Sequence, residues 1–290
     1  MSQTAVTTRF PTLPAHVTSA RTRRIVFRTS GRRQGSITRL VSPGDVGQLI
    51  KPFVFLDHAE VAHTGEKLSG IHPHSGIATL TTVLQGGLAY EDTTGKQGEV
   101  VRGGLEWMKA GKGVWHDGGA LPGEPLRAFQ LWVALPAAQE LAPPESQYVS
   151  PDSVEADGSV RVILGRHGRA RSVIRAPEDI NYFHVRLKDG ERWRYAPPAG
   201  YSVAWLAIDT GRLHASEVVS RGEVAVFDES EEAIEVRAEG ETSFVFGSAI
   251  KHPHPLVLGY YSVHTSATAL AEGEAEIRRI GQRLRAARRV

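Results

Sequence analysis

The run GIHPHSGIATLTTVLQGGLAYEDTTGKQGEVVRGGLEWMKAGKGVWHDG, residues 70–118, decides the fold. Its Thr-, Val- and Leu-rich segment Ala78–Leu84 has the composition of a half-buried or buried strand and stops at Gly86-Gly87, a tight-turn signal. Leu88–Glu91 and Glu99–Val101 flank the turn TTGKQG, and LEWM (105–108) and Val114–His116 flank AGKG. Strands at roughly ten-residue spacing with glycine turns between them predict an antiparallel sandwich or barrel.

Working outward, FVFL (53–56) and FQLWVA (129–134) add a strand on each side, and PAAQELAPPESQYVS (136–150) reads as a linker. A second β series follows at Val160–Leu164, Tyr182–Leu187, Val203–Ile208, Val224–Phe227, Ile234–Val236 and Ser243–Phe246. The expected division is residues 1–140 for one half and 141–290 for the other. Residues 1–20 read as a loose arm and Arg21–Arg33 as a strand with a basic, solvated face. In the tail, Leu270, Ile277, Ile280 and Leu284 share one face at helical spacing. Glutamates stand early and arginines late, so Ala267–Val290 is expected to be an amphipathic helix packed on a barrel.

The chain has 290 residues, 41% of them hydrophobic, and a formal net charge of +2, which gives no reason to expect a nucleic-acid partner. It has no cysteine, which excludes disulfides, thiolate metal sites and cysteine nucleophiles and fits a reducing cytoplasmic setting. No apolar run approaches the roughly 18 residues that a membrane span needs. No G-x-S-x-G elbow and no phosphate-cradling glycine loop is present.

Among twelve histidines, His72 and His74 stand two apart, so in a strand both imidazoles point to one side. Pro73 points away and suits an edge or a bulge. His116 follows the turn Gly111-Lys112-Gly113, at the start of another strand, and a closed sheet can bring it to the pair. Three neutral imidazoles suffice to hold a first-row metal with positions left open. His252-Pro253-His254 repeats the spelling without a third histidine spaced like His116, and His58 and His63 are expected in loops. Trp107, Trp115 and Trp132 are expected in the core.

These residues, with FVFLDH (53–58) ahead of them, closely resemble the signature of the pirin family: an HPHRGFET segment, a strand ending in EGG and an M-x-A-G-x-G-x-x-H segment. The resemblance is specific over residues 45–135 and looser at FVFGSAIKHPHPLVLGYYSVHT (244–265). It implies an all-β bicupin, two β-barrels with one divalent metal ion in the first. It implies iron as the usual metal, held by three histidines and a glutamate, and either a quercetin 2,3-dioxygenase-type activity on an aromatic, flavonol-like molecule or a regulatory role with a protein partner. Two barrels in one chain are compatible with a monomer.

One departure matters. The family's glutamate stands two residues beyond the third histidine, where this chain has Gly118, and the acidic position that other cupins use after the histidine pair is Ala78. An all-imidazole set favours zinc, nickel or copper over hard ions. Lacking its carboxylate, an oxygenase of this type is expected to be weakened or altered, by ~10²–10⁴ if the group acts as general base. Glu91, Asp92 and Glu106 lie in the same half; Glu106 is read as exposed or behind the ligands.

Overall fold

The computed structural model describes residues 23–62 and 67–287, and the backbone alone for 67–69. His63, the expected arm and Arg21–Thr22 lie outside the described residues.

The first half is two sheets face to face. Seven strands run in the order Glu145–Val149, Leu105–Lys109, Ile77–Gln85, Leu126–Ala134, Phe53–Val61, Ile37–Val41, Arg32–Gln34; four more run Lys67–His74, Val114–Ala120, Gly87–Asp92, Gln97–Val101. Val83, Leu88, Val100 and Leu126 from both sheets meet between them. The second half is one nine-stranded sheet built on two long partners, Val203–His214 and Ile234–Ala249, folded around its own aromatic core with Phe183, Trp193, Phe244 and Phe246. The two segments expected at 234–236 and 243–246 are thus one continuous strand.

The outer face of the seven-stranded sheet packs on the nine-stranded sheet. Leu80, Trp107, Phe129 and Leu131 from one side meet Tyr182, Trp205 and Val245 from the other, all 0–1% exposed. Burying such a side chain is worth roughly 1.5–3 kcal/mol, so this apolar seam couples the halves strongly. Strands also cross the expected 140/141 division: Ile25–Thr29 pairs with Val224–Phe227, and Glu145–Val149, inside the expected linker, pairs with Leu105–Lys109.

The tail is helical over Ala267–Ala286, with Ser266 Oγ capping Ala269 N–H at 3.1 Å. Its buried stripe is Ala269, Gly273, Ile277, Gly281 and Leu284, rotated from the large-residue face because its two glycines make the closest approach. A Cβ at Gly273 would crowd His264 and Ser75, and one at Gly281 would crowd Trp115. The Ile277 carbonyl accepts a bond from Trp115 Nε1 at 2.8 Å, so the helix braces the strand that carries His116. No helix among the described residues is long and apolar enough to cross a membrane.

Candidate metal centre

His72 and His74 end the Lys67–His74 strand, antiparallel to Val114–Ala120, where His116 pairs with His72 and Val114 with His74. Period-two alternation aims the three imidazoles at one point. His116 Nε2 lies 3.0 Å from His72 Nε2 and 3.1 Å from His74 Nε2, and one ligand atom from each ring falls within 4.8 Å of the others. Among the described residues this is the one such cluster of three donors.

The opposite ring nitrogens explain the orientation. His72 Nδ1 is 2.8 Å from the Gly70 carbonyl oxygen and His74 Nδ1 is 3.1 Å from that of Tyr261. Carbonyl oxygens only accept, so both rings carry their proton on Nδ1 and present a lone pair at Nε2. At most one of the facing nitrogens can bear a hydrogen if His116 adopts the other tautomer, and that hydrogen can satisfy one neighbour only. A cation satisfies all three, and edges of 3.0–3.1 Å suit metal–nitrogen bonds of ~2.1 Å. Burial, helped by the neighbouring His116, lowers the His72 pKa to about 4, and burial with both neighbours holds His74 well below the usual range. Both are therefore neutral, ligand-competent imidazoles at pH 7.

His72 and His116 form one wall of a cavity of about 240 Å³, with His74 fully buried behind them. Trp132 and Phe55 stack at 4.0 Å between centroids, and Arg39 lies over the Phe55 ring while pairing with Asp57. Tyr261 stands at the mouth, 41% exposed, its ring 5.3 Å from that of His72. Its backbone is left-handed, with φ of 54°, which turns its carbonyl toward His74. Trp132 is therefore a cavity wall as well as core, whereas Trp107 is wholly buried in the seam between the halves.

Several expectations change. Ala78 does not share the histidine face: it lies in the seam between the halves, while Thr79 and Thr81 take the inner face. Gly76, left-handed at φ 75°, breaks the alternation that carried the count from His74. Gly118 does line the cavity, with no carboxylate to offer. Glu106 is buried, at 3% exposure, and faces the cavity beside His116. His58 sits in the Phe53–Val61 strand, not in a loop. Its Nε2 is 3.3 Å from Asp209 of the second half, which also pairs with Arg127 at 2.8 Å. His252 is buried, with Nε2 3.3 Å from the Leu135 carbonyl oxygen, and belongs to no three-donor cluster among the described residues.

A second buried group carries no local sequence signal. Glu140 accepts from Thr265 N–H at 2.7 Å and Thr265 Oγ1 at 2.6 Å and lies 3.1 Å from His264 Nδ1. His264 Nε2 is 3.0 Å from Ser75 Oγ, which bonds Ser262 Oγ at 2.9 Å. This chain fastens the closing hairpin to the residue after His74; only the proximity of acidic and histidine residues in the folded chain reveals it.

The profile of the family described as Pirin matches residues 34–133. A protein of Pseudomonas aeruginosa named "Putative quercetin 2,3-dioxygenase PA2418" is 28% identical over 239 residues, spanning 77% of this chain and 83% of that one. A pirin-like protein of Caulobacter vibrioides is 32% identical over 192 residues, 62% of this chain and 68% of that one. Among solved structures, a quercetin 2,3-dioxygenase from Acinetobacter baumannii aligns with a TM-score of 0.81 at 22% identity, covering 89% and 98% of the two chains. The bacterial pirin YhhW from Escherichia coli, solved in complex with nickel(II), aligns with a TM-score of 0.63 at 19% identity, covering 76% and 94%. These two likenesses establish the mostly β, cupin-type fold with its one carboxyl-terminal helix. Signature residues and the breadth of the sequence match lead to one conclusion: the chain belongs to the pirin family.

Proposed function

We propose that His72, His74 and His116 hold one divalent metal ion, and that the cavity beside them takes a flavonol-like aromatic molecule for an oxygenase reaction that is weak or altered. One observation carries the reading: three imidazole Nε2 atoms converge within 3.0–3.1 Å along the two observed edges, with two Nδ1 atoms held by carbonyl oxygens. The relatives named for quercetin 2,3-dioxygenase support the substrate class, and the nickel complex of the Escherichia coli relative supports a divalent ion. Iron follows from the family resemblance; the all-imidazole donors also suit nickel, copper or zinc. We place the protein in the cytoplasm, in keeping with its lack of cysteine.

A bound ion would supply Lewis acidity toward a substrate oxygen. The chain's own residues do the rest. Trp132 and Phe55 offer an aromatic wall for a planar ring, and Tyr261 narrows the mouth and limits water entry. The carboxylate missing at Gly118 is the reason to expect slow turnover. The same glycine favours a second reading, a non-enzymatic pirin-like protein that uses the site to hold a partner-binding surface.

Oxygen uptake with quercetin, measured on iron- and nickel-loaded protein beside His116→Ala, separates the two. Slow consumption that disappears in the variant is expected. No consumption with either metal, in protein carrying one equivalent of it, would overturn the oxygenase reading and leave the partner-binding one.

A further inference from the structure

Glu106 is a buried carboxylate that lines the cavity. In the Leu105–Lys109 strand, Leu105 and Trp107 point into the seam between the halves, so Glu106 points inward, toward the cavity. It is 3% exposed. Oε2 accepts a bond from Thr81 Oγ1 at 2.8 Å, across the pair Thr81–Glu106. Oε1 lies 3.9 Å from His116 Nδ1, an ion-pair distance longer than a hydrogen bond. Among the described residues no lysine or arginine pairs with it. A buried carboxylate with one neutral donor is costly unless positive charge stands near. Arg39, the cation in the same cavity, is paired with Asp57; a second place for positive charge is the point at which the three Nε2 atoms meet, on the far side of the His116 ring.

We infer that Glu106 is the charge partner of the bound ion, supplying through His116, from the neighbouring strand, the negative charge that the family pattern puts at Gly118. The inference rests on the proposed metal site and deepens it. Glu106 is a positioning residue: its charge behind the His116 ring favours the tautomer with the proton on Nδ1, raises the basicity of Nε2 and neutralises part of the ion's charge. Carboxylates behind a metal-bound imidazole commonly act in this way. Gly118 faces the same cavity. A Cβ there would meet only the Ala89 carbonyl oxygen, at 3.3 Å, so a glutamate can be restored at that position with a small adjustment.

The test uses cobalt(II) as the probe, titrated into metal-free full-length protein and followed by its visible absorption, with thermal unfolding of each form. Glu106→Gln keeps the size of the side chain and the bond from Thr81. It is expected to weaken cobalt binding ~10–100-fold and to raise the unfolding temperature of the metal-free protein, because an uncompensated buried charge is gone. Adding Gly118→Glu to that variant is expected to recover most of the affinity. A merely structural role for Glu106 would lower the metal-free unfolding temperature and leave affinity alone. A cobalt Kd for Glu106→Gln within twofold of the parent overturns the inference while leaving the metal site standing. A parent protein that binds no cobalt removes both. Should Glu106→Gln fail to fold, Thr81→Val, which frees the carboxylate from its one donor, must change cobalt affinity or its spectrum, or the inference falls.

Discussion

Glu140→Ala should cost about 3 kcal/mol of stability and loosen the site. Glu140 is 3% exposed and accepts from Thr265 N–H and Thr265 Oγ1, with His264 Nδ1 at 3.1 Å. Truncation strands three donors, and each buried donor left unpaired costs ~1–3 kcal/mol. Relief of the carboxylate's own desolvation offsets part of that sum, and water entering the vacated space offsets more, leaving ~3 kcal/mol. At ~2–4 °C per kcal/mol for a chain of this size, the melting temperature should fall by ~6–12 °C. Urea and thermal unfolding, followed by circular dichroism, measure it. Glu140→Gln keeps an acceptor and should lose less. Because His264 connects to Ser75, the residue after His74, cobalt should also leave faster from the variant. A loss below about 1 kcal/mol, with unchanged cobalt release, would refute the idea that this chain of bonds fastens the hairpin.

Other outcomes follow from the same contacts. Gly76→Ala should abolish metal uptake or folding, since φ is 75° and the added Cβ would overlap the Val263 carbonyl oxygen; metal content and circular dichroism read both effects. His184, buried against Ser243 at 2.9 Å, has its pKa lowered to about 3, first by burial and then by Arg186 and Arg161. The unfolded chain binds that proton below about 6.5, so stability is full above that pH and falls by up to ~1.4 kcal/mol per pH unit down to about 3. Urea midpoints across pH 4–7 should show a shallower fall in a His184→Gln variant. Trp132→Ala should weaken quercetin binding at least tenfold by removing the stacked wall, as read by ligand fluorescence.

The strand rhythm was legible because glycine turns and Thr/Val-rich runs punctuate both halves, and the tail helix because its apolar spacing is 3.6 rather than 2. The convergence of His72, His74 and His116 was legible for the same period-two reason. What escaped depends on tertiary choices. Strand Leu105–Lys109 is buried on both faces, so no polar alternation aims Glu106; its single charge inside LEWM was the one clue. The face assigned to Ala78 failed because one left-handed glycine shifts the alternation. The pairing of Ile25–Thr29 with Val224–Phe227, the Tyr261 contact with His74 and the Glu140–His264 chain join residues more than a hundred positions apart, beyond any local pattern.

Metal content by mass spectrometry on the untagged protein, beside a His72→Ala/His116→Ala double variant, decides whether the three imidazoles hold an ion. About one equivalent of a first-row divalent metal is expected in the parent and none in the variant. Folded parent protein that carries no metal and takes up neither iron, nickel nor cobalt would contradict the three-histidine site.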